Sequence, residues 1–253
     1  MSQANKDDQL ATLNEGQQHC LFNSNLISNF SADMLTPAYW QQKNAVTGSA
    51  QGRGTTWFVT YQDKSETQHD WVLRHYYRGG MIGKLIKDSY CFTGIENTRA
   101  AREFKLLQHM KALQLPAPEP VAYRVIRHRF TYQADLLSSR IPNAQDLVAI
   151  LSSKTIDKVL WQAIGKTIRR FHDHNIYHHD LNAHNILIND EQQVFLIDFD
   201  RGELRDKSSE TTWKQSNIKR LQRSFLKELN KLEQFHFNDE NWQFLMSGYQ
   251  SEK

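Results

Sequence analysis

Cysteine is scarce in this chain of 253 residues, which contains only Cys20 and Cys91. Neither thiol has further Cys or His residues at the spacing of a metal site, and two cysteines make no disulfide framework. We therefore expect a reducing, cytoplasmic environment in which both thiols are chemically inert. The length allows one large domain or two small lobes around a cleft.

Long apolar runs are also missing, because no run approaches the ~20 residues that a membrane-spanning helix needs. Residues 1–15 are polar and mixed in charge, and they lack the basic and apolar segments of a signal peptide. The formal net charge of +3 is too small to indicate a nucleic-acid partner. The sequence thus favours a protein that is cytoplasmic or peripheral to a membrane, and it implies no obligate protein partner.

The first half of the chain is rich in short runs of β-branched and aromatic residues, which predict strands. Residues 97–113 instead have apolar side chains at the spacing of a helix face, and prolines end that segment. The glycines of residues 48–54 predict a break before the first strand. The predicted strands lie at residues 55–61, 70–78, 121–126 and 130–137.

The second half is mainly helical. Residues 156–174 have a strongly amphipathic pattern, and residues 213–231 predict a basic helix. Between them, the apolar runs 186–188 and 194–197 flank a turn. Strands followed by helices are typical of an α+β fold.

These patterns divide the chain into three parts. Residues 1–20 are predicted to be a flexible tail. Residues 21–137 are predicted to form an N-lobe around a small antiparallel sheet, and residues 138–253 to form a mainly helical C-lobe.

Two motifs in the second half carry the chemistry: HHDLNAHN at residues 178–185 and DFD at residues 198–200. Their order and spacing are those of the catalytic loop and the metal-binding motif of kinases, and they predict a protein-kinase-like, two-lobed fold. Asp180 would act as catalytic base on the acceptor hydroxyl. Asn185 and Asp198 would hold Mg²⁺, a hard cation that prefers oxygen ligands and bridges the phosphates of ATP. Two short strands flanking the turn would bring these two ligands together.

Either motif alone could be an ordinary turn or surface loop. Their occurrence in this order, each beside an apolar run, is what favours a kinase. His178 is expected to be a structural, hydrogen-bonding residue of the loop and not a proton carrier.

Upstream, Gly52, Arg53 and Gly54 precede a predicted strand and are similar to the glycine-rich hairpin that covers the phosphates of ATP in kinases. Trp57 stands where the third glycine of that hairpin would be. Two glycines before a strand are by themselves also typical of a simple tight turn.

Arg74 occupies the place of the strand lysine that contacts the α- and β-phosphates, and arginine can pair with phosphates bidentately. Lys84 is a rival for this role, since the glycines around it could let it reach inward. Glu103, on the predicted helix, is either the ion-pair partner of Arg74 or a solvated helix residue. Residues 138–142 are the predicted hinge whose backbone would bind adenine.

These residues resemble a known family, the lipopolysaccharide kinases, and within it the kinases that phosphorylate 3-deoxy-D-manno-octulosonic acid (Kdo). The resemblance covers residues 48–227. The segments that carry it are GRGTTW at 52–57, VLRHYYRGG at 72–80, FTG at 92–94, DLL at 135–137, HDLNAHNIL at 179–187 and DFDRG at 198–202.

The resemblance implies transfer of the γ-phosphate of ATP to the 4-hydroxyl of Kdo on a lipid A precursor, an anionic glycolipid. It also implies work at the cytoplasmic face of the inner membrane of a Gram-negative bacterium. Relative to protein kinases, arginine replaces lysine at Arg74, histidine replaces arginine at His179, and aspartate replaces glycine at Asp200. The first difference leaves the phosphate-contacting residue open, and the others argue against control by activation-loop phosphorylation.

Other activities stay open on sequence grounds. Few residues follow Asp198, which leaves little room for a peptide-binding platform and favours a small-molecule or glycolipid acceptor over a protein. A core heptose or an aminoglycoside are alternative acceptors. A nucleotide-binding pseudokinase is disfavoured by the intact Asp180, Asn185 and Asp198. The basic helix at 213–231 either faces anionic lipid or substrate phosphates or, as we favour, is a core helix with solvated charges.

Overall fold

The computed structural model describes residues 9–52, 54–78, 88–206 and 212–251. The strands are β1 Leu10–Glu15, β2 Gln18–Asn23, β3 Val46–Gln51, β4 Thr55–Gln62, β5 Gln68–His75, β6 Tyr90–Cys91, β7 Pro120–His128, β8 Thr131–Ser139, β9 Gln145–Asp146, β10 Ile176–Tyr177, β11 Ile186–Ile188, β12 Val194–Leu196 and β13 Glu203–Leu204. The helices are α1 Pro37–Gln42, α2 Arg99–Ala112, α3 Leu147–Ser153, α4 Lys158–Asp173, α5 Thr212–Lys231 and α6 Asp239–Gln250.

The chain forms two compact units. The first comprises the described residues up to Lys105 together with Glu119–Arg140, and the second comprises Leu106–Pro118 and the described residues from Ile141 onward. The first unit contains one antiparallel sheet in the order β1-β2-β7-β8-β5-β4-β3, with β6 paired to β8. The second unit is mainly helical. The predicted α+β class, with an antiparallel sheet first and helices after it, is confirmed.

The predicted flexible tail is wrong for the described part of residues 1–20. Strand β1 pairs with β2 along its whole length, and β2 pairs with the central strand β7. Cys20 and Asn23 of β2 are buried, whereas β1 is an edge strand whose side chains are mostly exposed. An edge strand can be polar on both faces, so its hydrophobic pattern is too weak to predict it.

The predicted break at residues 48–54 is also wrong for most of its length. Residues 46–51 form β3, the other edge of the sheet, which pairs with β4 through a bulge near Gly48. The ring of Phe58 lies close to Gly48, where an added Cβ would be 3.2 Å from Cδ2 of that ring. A side chain at this position would crowd the neighbouring aromatic ring, so Gly48 marks a close contact within the sheet and not a break in the strand.

Residues between β2 and β3 cover one side of the sheet. Trp40 packs edge-on against Trp71 at a centroid distance of 6.2 Å and donates its indole N–H to the Met34 carbonyl at 2.7 Å. The buried Arg124 of β7 donates hydrogen bonds to the Leu35 carbonyl at 3.0 Å and to Asp135 at 2.8 Å. The covering segment is therefore fixed to the sheet by both apolar and charged contacts.

The second unit is built around the helix pair α4 and α6, which approach most closely at two glycines. A Cβ on Gly165 would overlap the Leu245 carbonyl oxygen, and a Cβ on Gly248 would overlap the Gln162 carbonyl oxygen. The buried face of α4 includes Trp161 and Phe171. In the part of the chain described above, no helix combines the length and the apolar character required to cross a bilayer.

The close approach at Gly165 gives a prediction with a clear sign. In an uncrowded helix, Gly→Ala is stabilising by up to about 1 kcal/mol because alanine has the higher helix propensity. Gly165→Ala should instead lower the free energy of unfolding by about 1–3 kcal/mol, the usual cost of overpacking. Urea denaturation followed by circular dichroism measures this, with Lys166→Ala on the exposed face of α4 as the control. A stabilised Gly165→Ala variant would contradict the packing described here.

Candidate active site

His178 holds the predicted catalytic loop in place. Its Nδ1 accepts a hydrogen bond from the Asp180 backbone N–H at 3.1 Å, so Nε2 carries the proton and donates it to the Ile197 carbonyl at 2.9 Å. The imidazole is almost completely buried. Burial lowers its pKa, which keeps the ring in the neutral form that this pair of bonds requires. The role expected of His178, structural and not proton-carrying, agrees with these contacts.

Two asparagines shape the rest of the loop. The Asn182 side chain accepts hydrogen bonds from the backbone N–H groups of His184 at 2.9 Å and Asn185 at 3.2 Å. The amide nitrogens of Asn182 and Asn185 both donate to the Asp180 carbonyl, at 3.0 and 2.9 Å. These two hydrogen bonds fix the Asp180 carbonyl. The Asp180 side-chain carboxylate is therefore carried by a residue whose backbone N–H and carbonyl are both hydrogen-bonded.

The strand pair β11–β12 places Asp198 next to this loop. Ile186 pairs with Leu196, and the Ile197 N–H donates to the Asn185 carbonyl at 3.0 Å. Asn185 therefore lies opposite the residue that precedes Asp198. Asp198 itself has φ of +61°, a left-handed conformation that costs a non-glycine residue about 1 kcal/mol or more.

The segment after Asp198 is anchored by Phe199. Its buried ring stacks on Phe171 at 5.6 Å and packs on His178 at 4.7 Å between centroids. The Gly202 N–H closes a turn onto the Phe199 carbonyl at 2.7 Å. A Cβ on Gly202 would be 2.8 Å from both that carbonyl oxygen and Cδ2 of Leu106, so only glycine fits.

The donor set of this site suits Mg²⁺. The Asn185 amide nitrogen is engaged with the Asp180 carbonyl, and this orients the amide so that its oxygen is the remaining group. Together with the Asp198 carboxylate it supplies the hard oxygen ligands that Mg²⁺ prefers. Over the described ranges, no three or more His, Cys, Asp or Glu residues form a group that could hold a metal ion.

Helix α5 supports the loop from one side, and sequence reasoning missed these contacts. Asn217 is buried and donates to the His178 carbonyl at 3.0 Å, and the Ser224 hydroxyl accepts from the Ala183 N–H at 3.0 Å. Arg220 lies between them, with Nη1 3.6 Å from Oδ1 of Asp180. The sequence signal that could have revealed these contacts is the spacing of Asn217 and Ser224. These two polar residues are separated by about two helical turns and lie on the otherwise apolar face of α5. Ile218, Leu221 and Phe225 on that face are buried, as expected for a core helix.

In the first unit, Arg74 of β5 and Glu103 of α2 form an ion pair. Nη2 of Arg74 lies 2.5 Å from each Glu103 carboxylate oxygen, and the Tyr76 hydroxyl donates to Oε2 at 2.7 Å. Glu103 is buried, so it is not a solvated helix residue. Burial, followed by the negative charge of Glu103, raises the pKa of Tyr76 well above its usual value and keeps the hydroxyl protonated as a donor. The geometry suits phosphate binding by Arg74, which stays a prediction.

Gly52 and Gly54, the described residues of the glycine-rich segment, lie between β3 and β4. The Gly52 N–H donates to the Gly54 carbonyl at 3.0 Å, and a Cβ on Gly54 would overlap the ring of Tyr77. Arg53 and Lys84, both predicted to contact the nucleotide, lie outside the described residues. Their roles stay predictions.

Comparison with known proteins identifies the family. Residues 37–249 match the model of the lipopolysaccharide kinase (Kdo/WaaP) family. The chain is 47% identical to a 3-deoxy-D-manno-octulosonic acid kinase of Vibrio cholerae, over 88% of this chain and 91% of that protein. It is 48% identical to the kinase of that name from Mannheimia succiniciproducens, over 84% of this chain and 88% of that protein. It is 42% identical to the kinase of that name from Haemophilus influenzae, over 93% of this chain and 97% of that protein.

The matched range includes the HHDLNAHN and DFD sequences of the helical unit and the Arg74–Glu103 pair of the sheet unit. A mixed fold of antiparallel sheet followed by helices is consistent with the protein-kinase-like fold. The chain is a kinase, and it belongs to the lipopolysaccharide kinase (Kdo/WaaP) family.

Proposed function

We propose that this protein transfers the γ-phosphate of ATP to the 4-hydroxyl of Kdo on a lipid A precursor, in assembly of the lipopolysaccharide inner core. The observation that carries the chemistry is the loop held by His178, with Asp180, Asn185 and Asp198 on adjacent bonded segments. The names of the relatives, all Kdo kinases of similar length, support the acceptor.

Asp180 is the proposed catalytic base. As the acceptor oxygen bonds to the γ-phosphorus, the bond from that phosphorus to the bridging oxygen breaks, ADP leaves, and Asp180 accepts the hydroxyl proton or orients it. The Asp180 carboxylate is about half-exposed, so an acceptor can reach it. Mg²⁺, held by Asn185 and Asp198, would neutralise the charge on the phosphates.

Residues of the first unit are proposed to bind the nucleotide. Arg74 would contact the phosphates while Glu103 and Tyr76 fix its side chain, and the Gly52–Gly54 turn would cover the phosphates. Lys84 is the alternative phosphate contact. The chain passes from the first unit to the second between Arg140 and Ile141, within the predicted hinge. This supports the proposal that the units are the N-lobe and C-lobe of the kinase.

The direct test of function is a one-phosphate mass gain when the purified protein is incubated with Mg-ATP and Kdo-lipid IVA. Parallel reactions with a core heptose acceptor, an aminoglycoside and a generic protein substrate separate the alternatives. A mass gain confined to the Kdo acceptor is expected. Transfer only to one of the other acceptors would refute the acceptor assignment, and binding of ATP without any transfer would indicate a pseudokinase.

Asp180→Asn should lower kcat by about 10²–10⁴-fold, the usual contribution of a general base, while leaving ATP affinity nearly unchanged. Glu191→Gln, in the exposed turn between β11 and β12, removes a carboxylate from the same unit and should retain full activity. Stopped-assay kinetics and nucleotide titration measure the two quantities. Undiminished turnover by Asp180→Asn would show that another group is the base.

Arg74→Gln should raise KM for ATP by about 10–100-fold, because charge-assisted bonds to the phosphates would be lost. Glu103→Gln should raise the KM for ATP by less, because Arg74 keeps its charge but loses the ion pair that holds its side chain in place. If neither variant changes the KM for ATP, the phosphate contact is elsewhere, and Lys84→Gln then tests the alternative.

We also propose that the protein acts on the cytoplasmic face of the inner membrane as a peripheral protein. The β7–β8 hairpin supports this, because Phe130 at its tip is 82% exposed and its neighbours Arg127, His128 and Arg129 are exposed and basic or weakly basic. The Arg127 guanidinium stacks 4.8 Å from the ring of Phe92, whose N–H donates to the Phe130 carbonyl at 2.8 Å. An aromatic side chain flanked by cations suits a surface of anionic lipid.

Phe130→Ser should weaken binding to anionic vesicles by about tenfold, since partial burial of a phenylalanine side chain is worth roughly 1.5 kcal/mol. Val159→Ser removes an apolar side chain that is 70% exposed on α4 and serves as the matched control. Vesicle flotation measures both. Equal binding by the wild-type protein and Phe130→Ser would exclude the hairpin tip as the membrane contact.

A further inference from the structure

An arginine of helix α5 lies beside the proposed catalytic base. Nη1 of Arg220 lies 3.6 Å from Oδ1 of Asp180, and both side chains are nearly half-exposed, at 43% and 47%. At 3.6 Å the contact is longer than a hydrogen bond, and both groups can be reached from solvent. An anionic ligand that reaches Asp180 would therefore also meet the Arg220 guanidinium.

Arg220 is held where it is by the contacts of its helix. Asn217 and Ser224, one turn to either side, bond the backbone of His178 and Ala183 at 3.0 Å each. These bonds fix α5 against the catalytic loop. The guanidinium thus has a defined position relative to Asp180, unlike an arginine on an unattached surface helix.

Arg201 and His179 belong to the same cluster. The pKa of His179 is lowered first by burial and then by the positive charges of Arg201 and Arg220, against the opposing charges of Asp180 and Glu203. Strands β10 and β13 pair Tyr177 with Glu203, so His179, two residues after Tyr177, follows the chain alongside the turn that contains Arg201, two residues before Glu203. Arg201 is exposed and has φ of +60°, a strained conformation in the turn that Gly202 closes onto Phe199. Strained backbone of this kind is found most often at active sites, ligand clamps and switch regions.

The cluster draws its three members from three separate elements: the catalytic loop, the turn after Asp198, and helix α5. Each guanidinium group supplies a planar set of N–H donors, and a neutral imidazole supplies one more. Arginine pairs with carboxylates through two parallel hydrogen bonds, which gives geometric selectivity as well as affinity. The arrangement fits a planar anion bound next to the reacting hydroxyl.

We propose that Arg220 and Arg201, with His179, bind the carboxylate of the acceptor sugar. This inference rests on the proposed function, since an octulosonic acid carries a carboxylate on the same molecule as the hydroxyl that is phosphorylated. The acceptor carboxylate would replace Asp180 as the partner of Arg220. Asp180 would then be released to take the hydroxyl proton, so that only an acidic sugar completes the site.

The same guanidinium groups could instead contact the transferring phosphoryl group, which is also an anion. The two candidate anions, the acceptor carboxylate and the transferring phosphoryl group, predict different kinetic effects. A carboxylate contact affects kcat/KM for the acceptor and depends on the acceptor being acidic, whereas a phosphoryl contact affects every acceptor equally and also the interaction with ATP.

The experiment compares Kdo-lipid IVA with the same molecule carrying Kdo as its methyl ester. The proteins are the wild type, Arg220→Gln, Arg220→Lys, Arg201→Gln and the control Arg223→Gln, which removes an exposed arginine of α5 one turn further along. The quantities are kcat/KM for each acceptor and KM for ATP. Thermal melting and ADP binding verify that each variant is folded.

The wild type should prefer the acid over the ester by about 10–100-fold, as expected for loss of a charge-assisted bidentate pair. Arg220→Gln should lower kcat/KM for the acid by about the same factor. It should barely change kcat/KM for the ester, and KM for ATP should be unchanged. Arg220→Lys should fall between, because it keeps the charge but not the planar pair of donors. Arg201→Gln should reduce the preference independently of α5, and Arg223→Gln should match the wild type.

If Arg220→Gln and Arg201→Gln keep the wild-type preference for the acid, the proposal is wrong. The proposal would also be overturned if these variants lost kcat/KM equally for the acid and the ester and had a raised KM for ATP. That result would assign the arginines to the phosphoryl group. A wild-type protein that phosphorylates neither Kdo acceptor refutes the proposed function itself. A wild type that phosphorylates both equally leaves the function standing and refutes only the carboxylate site.

Discussion

The buried imidazole of His178 is the interaction on which the site depends. One nitrogen accepts from the Asp180 backbone and the other donates to the Ile197 carbonyl, so a single ring joins the catalytic loop to the segment that carries Asp198. This works only for the neutral ring, because a protonated imidazole has no acceptor nitrogen. Burial, which lowers the pKa of His178, therefore maintains the geometry of the site at neutral pH.

Around His178, the side chains that support the loop differ from the charged side chains that are proposed to react. Buried groups such as Phe199 and Asn217 fix the loop, and neither presents a charge to the acceptor. The charged groups Asp180 and Arg220 are about half-exposed and sit on elements that the buried groups have made rigid. Left-handed residues occur at Asp198 and Arg201, on either side of the Phe199 anchor. Such strain persists only where surrounding contacts determine the backbone, which the Phe199 stack and the Gly202 turn provide.

The sequence indicated which residues could carry the chemistry of this site, but it did not indicate which residues support them. The spacing of Asp180, Asn185 and Asp198 could be recognised because phosphoryl transfer requires those residue types in that order. Arg220 could be placed on a basic helix but not beside Asp180, because that proximity depends on how α5 packs against the loop. The ion pair of Arg74 and Glu103 was one of two options until burial of the glutamate decided between them.

The fold shows the same division. Central strands such as β5 and β8, and the helices α2 and α4, have strong patterns and were predicted within a few residues. The edge strands β1 and β3 were missed, because one face or both of an edge strand can be polar and their pairing is decided by the neighbouring strand. The glycines at 48–54 were taken as a break, whereas two of them, Gly48 and Gly54, lie against neighbouring aromatic rings.

The central claim is that Asn185 and Asp198, brought together by the β11–β12 pair and the His178 bridge, hold the metal of a metal–nucleotide complex beside Asp180. Its most direct test is a crystal structure of the protein with Mg²⁺ and a non-hydrolysable ATP analogue. The account predicts a metal ion with an amide oxygen of Asn185 and a carboxylate oxygen of Asp198 among its ligands, at about 2.0–2.1 Å. A metal–nucleotide complex bound by other residues, with Asp180 far from the γ-phosphate, would contradict it.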